Sequence, residues 1–344
     1  MDLKNFYNYK QLESNIDFSK FKNKKVLITG STGLIGLHML AVLKNIQKKY
    51  NISIFCWINN DIESIYSDLF TDCTIIKGDL TDNKNIENLK LEFIEILSGI
   101  DFIIHTAGYG QPQKFMQDKI TTIELNTSTV VNLFKLLNKG GSFLFCSTSE
   151  IYSGIEEESI SEERIGSTNP AHPRSCYIEA KRCGEAICHA FAPDFNIKIA
   201  RISLVYGPGT KKNDARVLNN IIQKALLNNK IDLLDTGSSI RTYCYISDAV
   251  EMLYNILLHG NENVYNIAGT SKISIYKLAQ IIADKLHVDV NIPIDDNKTL
   301  NGTPKIVNLD INKYINEFNK KSFIEINDGL NYTIEWQKDL YYGK

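Results

Sequence analysis

No apolar run in this 344-residue chain approaches the length needed to span a bilayer, and the opening Met-Asp-Leu-Lys-Asn-Phe-Tyr has no secretory apolar segment. The seven cysteines are odd in number and never fall in Cys-x-x-Cys spacing, so neither a disulfide framework nor a zinc site is indicated. Six histidines are scattered without a metal-ligand pattern. An excess of either charge is also missing: a formal net charge of −2 gives no electrostatic case for nucleic acid or an anionic membrane as a partner. Internal repeats and low-complexity linkers are absent. These absences leave a soluble, reduced, cytoplasmic protein, long enough for one large or two closely joined domains around a substantial core.

Against that background, the stretch after Asn23 is specific. Lys24-Lys25-Val26-Leu27-Ile28-Thr29 reads as a short buried strand, followed at once by Gly30-Ser-Thr32-Gly33-Leu34-Ile35-Gly36 and then by a helical pattern through Leu37, Leu40, Ala41 and Leu43. Strand, glycine turn and helix in that order form a dinucleotide-binding arrangement. The glycines let the backbone approach a pyrophosphate, whose charge sits at the helix N-terminus. The spacing is Gly-x-x-Gly-x-x-Gly rather than Gly-x-Gly-x-x-Gly. From Val26 to about Ile202, short apolar strands alternate with helical stretches, the pattern of a parallel sheet covered on both faces. The expected strands are Val26–Thr29, Ile52–Trp57, Thr74–Lys77, Phe102–His105, Ser142–Cys146 and Lys198–Ile202. The residues before Asn23 read as a short helix packing on this domain. The acidic segment Glu156 to Asn169 reads as an exposed loop.

The second chemical signal is Tyr177 with Lys181, in Ser-Cys-Tyr177-Ile-Glu-Ala-Lys181-Arg. A spacing of four puts both side chains on one face of a helix. A phenol with a pKa of about 10 is a poor base at neutral pH. An adjacent ammonium favours the phenolate, so the pair can take a proton from a sugar hydroxyl.

With the other landmarks, the chain resembles the extended short-chain dehydrogenase/reductase family, which acts mostly on nucleotide sugars. Gly78-Asp79-Leu80 matches its adenine-side loop. His105-Thr106-Ala107-Gly108 follows a strand and matches a segment beside the cofactor. Asn126 matches a helix position that braces the active site. Thr148-Ser149-Glu150 ends a strand and matches the catalytic Ser/Thr segment, and Tyr206-Gly207-Pro208 and Arg241 to Asp248 complete the set. The resemblance implies an α/β fold: a Rossmann-type doubly wound parallel sheet over residues 1–202, to which a helix at 247–258 returns, and a smaller α/β substrate domain mainly in 203–344. It implies NAD as cofactor, with Gly30, Thr32, Gly33, Leu34, Ile35, Gly36, Asn59, Asp79, Leu80, Thr106, Ala107, Gly108, Tyr177 and Lys181 on it. It implies a homodimer joined partly through the Tyr–Lys helix, with Cys183, Ile187 and Phe191 on the exposed face. Val264-Tyr-Asn-Ile-Ala-Gly269 and the helix after Ser274 match a second-domain strand and helix.

Within that family, the triplet beside the tyrosine separates the chemistries. Dehydratases of the family carry Thr-Asp-Glu, whose Asp protonates a departing C6 hydroxyl; Ser149 stands there and cannot act as such an acid. Thr-Ser-Glu resembles the UDP-glucuronate decarboxylases, as do Pro173-Arg174 before the tyrosine and Asn213-Asp214-Ala-Arg216. The resemblance implies a 4-keto intermediate, with Thr148, Ser149, Glu150, Tyr177 and Lys181 as catalytic residues. Tyr109, Gln111, Arg174, Asn213, Arg216 and Arg241 are the expected substrate-binding residues. A C4-epimerase, a 4,6-dehydratase, a 4-keto reductase and a non-catalytic dinucleotide sensor are the alternatives. Three features depart from the pattern. The second strand ends in Asn59-Asn60-Asp61 without the usual terminal Asp, so NAD is read from the lack of a basic residue there. Leu204 replaces the Asn that normally contacts the substrate diphosphate. The loop Tyr109-Gly-Gln111-Pro112 is more glycine-rich and polar than in the decarboxylases.

Overall fold

Successive side chains of a strand face opposite ways, and Val26-Leu27-Ile28 is apolar in both directions, which only a strand buried on two faces tolerates. In the computed structural model, which describes residues 9–82, 99–212, 214–293 and 305–343, that strand lies inside a seven-stranded sheet. Val26 and Ile28 point into one core with Ile54 and Cys56, while Leu27 points into the other with Phe55 and Trp57. The strands are β1 (Lys25–Thr29), β2 (Ser53–Ile58), β3 (Thr74–Lys77), β4 (Ile100–His105), β5 (Leu137–Thr148), β6 (Asn196–Ile202) and β7 (Val264–Ile267). Their order is β7-β6-β5-β4-β1-β2-β3, with every pairing parallel. The chain runs outward from β1 to β3, then crosses to β4 and builds the other way. A crevice therefore opens beyond the carboxyl ends of β1 and β4, the ligand position in such sheets.

All six expected strands form. The seventh is a correction: Val264–Ile267 does not join the second domain but pairs along β6, Val264 against Ile199 through Ile267 against Ile202. Sequence spacing carried no hint of a partner more than sixty residues upstream. A second, four-stranded sheet contains Leu204–Tyr206, Ile240–Tyr245, Ser271–Ser274 and Ile306–Val307. Lys230–Asp232 and Asp289–Asn291 form a two-stranded ribbon beside it. Helices Val217–Asn228, Ile275–Leu286 and Ile326–Tyr342 belong to this half, and helix Ile246–His259 packs back against helix Leu34–Tyr50 of the first half. Among the described residues no helix is long and apolar enough to cross a membrane.

Before β1, a helix (Tyr9–Asn15) and a 3₁₀ turn (Ser19–Phe21) bury Leu12, Ile16, Phe18 and Phe21, with the Phe21 ring edge-on to Phe102 at 4.7 Å. The segment from Glu156 to Asn169 is the largely exposed loop expected, anchored at two points. Ile160 is buried and bridges Leu309, and Glu162 is buried with a carboxylate that accepts the Asn266 amide at 2.8 Å. Phe191, expected on an exposed face, turns inward and stacks on Phe134 at 4.2 Å. All seven cysteines are free thiols.

Candidate active site

The glycine turn is tight for reasons of contact. Gly30 sits at φ 71°, the left-handed region where a side chain is strained. A Cβ on it would stand 2.7 Å from the Ala107 backbone. A Cβ on Gly36 would press on the Gly30 carbonyl and stand 2.6 Å from Thr106 Oγ1. Glycine thus lets the turn after β1 nest against the segment after β4. There the Thr106 hydroxyl donates to the Thr29 carbonyl at 2.7 Å. Helix Leu34–Tyr50 starts at Gly33 with no side chain capping its first amides. Thr32, Gly33, Leu34 and Ile35 line this start and remain partly exposed. Uncapped amides and the helix dipole at a glycine cradle fit a pyrophosphate.

Across the crevice, helix Ser175–Phe191 carries the tyrosine and lysine. Gly184 lets it approach the sheet: a Cβ there would stand 2.5 Å from the Phe145 ring and 2.6 Å from the Asn126 carbonyl. The close approach brings Lys181 Nζ to the Cys146 carbonyl at 2.6 Å. Thr148, at the end of β5, reaches the Tyr177 hydroxyl, and its own Oγ1 accepts the Glu150 amide at 3.2 Å. Gly108 lies over the pair, its missing Cβ 3.9 Å from Lys181 Nζ. Asn126 is fully buried; its Nδ2 donates to the Thr122 carbonyl at 2.7 Å, while its Oδ1, on the Gly108 side, has no protein partner. Burial lowers the Lys181 pKa to about 8. Burial, with Glu150 adding to it, raises the Tyr177 pKa well above the usual phenol range, while Thr148 and Arg174 pull it down. The direction is opposite to the effect expected of the lysine alone, because Lys181 aims its ammonium at a carbonyl of β5 and the phenol is desolvated.

The sequence from residue 26 to residue 268 matches the model of the NAD dependent epimerase/dehydratase family. The chain belongs to that family. It is 28% identical over 336 residues to UDP-glucuronic acid decarboxylase 1 of Xenopus tropicalis, covering 94% of this chain and 74% of the relative. It is 28% identical over 285 residues to UDP-glucuronic acid decarboxylase 6 of Arabidopsis thaliana, covering 81% of this chain and 80% of the relative. The fold is that of UDP-glucuronic acid 4-epimerase from Bacillus cereus, solved with UDP-glucuronic acid and NAD. That likeness has a TM-score of 0.74 at 22% identity, over 92% of this chain and 100% of that one. An epimerase from Methanothermobacter thermautotrophicus shares the fold at a TM-score of 0.78 and 18% identity, over 98% of each chain.

The residues expected on the adenosine side of the NAD lie beyond β2 and β3. Asn59 is exposed there, and Asp61 pairs with Lys77 at 2.5 Å. Lys77 is thus a basic group at this edge that the sequence of β2 alone did not reveal, since it arrives on β3. The Asp79 side chain accepts from the Thr81 amide and hydroxyl at 2.9 and 2.8 Å, and the Leu80 side chain is buried.

Arg174 stands just before the Tyr–Lys helix without capping it through its side chain, and its guanidinium holds both oxygens of Glu150, its Nε donating at 2.9 Å. Ser149 is half-buried in the 3₁₀ turn Ser149–Tyr152. Arg241, on Ile240–Tyr245, is buried, donates only to the carbonyls of Ile240 and Lys305, and has no carboxylate in salt-bridge range among the described residues. Burial lowers its pKa, and the nearby Arg174 lowers it further. Arg216 is committed elsewhere: its Nε donates to both Asp214 oxygens at 3.0 Å. Tyr109 donates to Asp118 at 3.4 Å, and Gln111 Oε1 accepts the Ala215 amide at 3.4 Å. Asn213 lies outside the described residues. Leu204 is half-buried in the second sheet. Phe115 escaped the sequence reading: fully buried, it stacks on Tyr177 with ring centroids 4.5 Å apart and planes 3° from parallel. A single aromatic in a short polar helix carries no signal of its own.

Proposed function

We propose that this enzyme removes CO₂ from a nucleotide hexuronate, UDP-glucuronate being the first candidate, by way of a ketone at C4 of the sugar. The observation that carries the proposal is the charge beside Tyr177. Glu150 lies there with two guanidinium groups, and Arg241 is buried without a carboxylate of its own. A buried unpaired cation is costly unless an anion joins it, and a substrate carboxylate or diphosphate supplies that anion. Relatives at 28% identity bear the name UDP-glucuronic acid decarboxylase, which supports the same reading.

Tyr177 accepts the proton of the sugar 4-hydroxyl, with Thr148 hydrogen-bonded to the same oxygen. NAD⁺, when bound, supplies the hydride acceptor at C4 and a positive charge near the phenol. Lys181, held on the Cys146 carbonyl with its ammonium 5.9 Å from the centre of the Tyr177 ring, is read as a contact to the cofactor beside the phenol. Once C4 is a ketone, the C6 carboxylate is a β-keto acid and leaves as CO₂, with its electron pair held as an enolate. Glu150, positioned by Arg174 and protonated from solvent, then delivers a new proton to C5, and Tyr177 gives its proton back to the C4 oxygen as the hydride returns to C4. Ser149 contributes no acid, which separates this site from dehydration.

A C4-epimerase needs only the first oxidation and a turn of the ketone. The Arg174–Glu150 pairing, which engages the carboxylate within the protein, is the observation on its side. The second sheet, with the helices around it, is read as the substrate domain. The protein is further read as a cytoplasmic homodimer. Ile120 and Ile123 on helix Lys119–Asn126 and Cys183 on the adjacent Tyr–Lys helix are exposed side by side, where a second copy would cover them. Incubation with UDP-glucuronate and NAD⁺ tests the activity: mass spectrometry shows a nucleotide product lacking the carboxyl group. A product of unchanged mass with an inverted C4, seen by NMR, selects the epimerase and removes decarboxylation.

A further inference from the structure

We infer that Phe115 is a positioning residue that aims the Tyr177 phenol and keeps it dry, and that it links the loop before it to Arg174. The inference rests on the proposed role of Tyr177 as base. Phe115 sits in the short helix Pro112–Gln117, directly after the loop that departs from the decarboxylase pattern. Its backbone is tied on both sides: its amide donates to the Gln111 carbonyl at 3.1 Å, and its carbonyl accepts the Cys176 thiol at 3.4 Å and the Thr122 hydroxyl at 3.5 Å. Its ring lies flat on Tyr177 and also carries the Arg174 guanidinium 5.3 Å from its centroid.

A tyrosine ring pivots about its Cα–Cβ bond, and that swing moves the hydroxyl more than any other atom of the side chain. A parallel ring on its face blocks the swing. The same ring excludes water, and burial is the leading cause of the raised Tyr177 pKa. Gln111, four residues before Phe115, meets the Ala215 amide of the opposite loop.

The consequence is unusual for a packing residue. Replacing Phe115 with Leu admits water, so the phenol ionises more readily, yet it loses its aim, so oxidation slows. The test uses the NAD⁺ complex with tyrosine labelled at ring Cζ by ¹³C, the Tyr177 signal being assigned by its loss in Tyr177→Phe. Phe115→Leu is expected to lower the Tyr177 midpoint by about one pH unit or more. It is also expected to slow single-turnover reduction of NAD⁺ by UDP-glucuronate about tenfold to a hundredfold, with KM little changed. Phe115→Tyr, which keeps the ring, is expected to restore both. A folded Phe115→Leu protein with an unmoved midpoint overturns the inference, and this readout needs no substrate. If Phe115→Leu does not fold, Phe115→Met takes its place under the same criteria. A Tyr177→Phe enzyme with normal turnover overturns the base assignment itself. An inactive Tyr177→Phe beside a normal Phe115→Leu overturns only the role of Phe115.

Discussion

Glu150→Gln separates the two halves of the proposed reaction. In the structure Glu150 acts twice: its negative charge raises the Tyr177 pKa, and its two oxygens hold Arg174. The amide keeps one acceptor for Arg174 and loses the charge. Charge-assisted hydrogen bonds contribute about 1.5–3 kcal/mol each, and this pair is mostly but not wholly buried, so a stability loss of about 1–3 kcal/mol is expected. Removing the charge makes Tyr177 easier to ionise, so hydride transfer from the sugar is not expected to slow. Return of a proton at C5 loses its donor, a step for which such groups contribute about 10²–10⁴ in rate. Stopped-flow absorbance of the reduced nicotinamide is therefore expected to rise as fast as in the parent enzyme and then to persist. CO₂ release is expected to proceed while the final product is delayed. Multiple turnover at the parent rate would refute the assignment of Glu150. A reduced-nicotinamide signal slowed as much as the overall rate would move Glu150 from C5 to the hydride step.

Three other outcomes follow from the geometry. Gly36→Ala forces a Cβ onto the Gly30 carbonyl and Thr106; it is expected to abolish NAD⁺ binding in calorimetry, and retained affinity would show that the turn can shift. Arg201→Met strips the partner from buried Glu185, whose carboxylate Arg201 grips at 2.8 and 3.2 Å. Such a stranded charge costs about 3–5 kcal/mol, which urea unfolding measures directly. Buried His38, donating to the Pro208 carbonyl, and buried His105, donating to the Leu125 carbonyl and accepting from the Thr29 hydroxyl, have pKa values lowered by burial to about 4 and about 3. Above a pH of about 6.5 both are neutral, folded or unfolded, and impose no penalty. As the pH falls below that value the unfolded chain takes up protons the native state refuses, at about 1.4 kcal/mol per unit for each histidine. Stability is expected to fall steadily towards pH 4, and His38→Gln to flatten that slope; an identical slope would assign the acid sensitivity elsewhere.

Local patterns determined much of this protein. The continuous apolar run of β1, the three glycines after it and the fourfold spacing of Tyr177 and Lys181 are properties of a few consecutive residues. Their consequences, a buried strand, a phosphate turn and one helical face, follow from backbone geometry alone. So the parallel sheet, the cofactor crevice and the family were legible. What the tertiary structure decided involves residues far apart in sequence. Val264–Ile267 became the seventh strand because β6 offered an open edge, which no local pattern encodes. The sign of the Tyr177 shift turned on burial and on where Lys181 points, both set by how closely Gly184 lets its helix meet β5. Lys77 reached the end of β2 from a neighbouring strand, and Arg216 was drawn off by Asp214. Phe115 came to lie on the tyrosine from sixty-two residues away. A residue's chemistry is written in its type, but its pKa, its partner and its aim belong to whatever the fold sets against it.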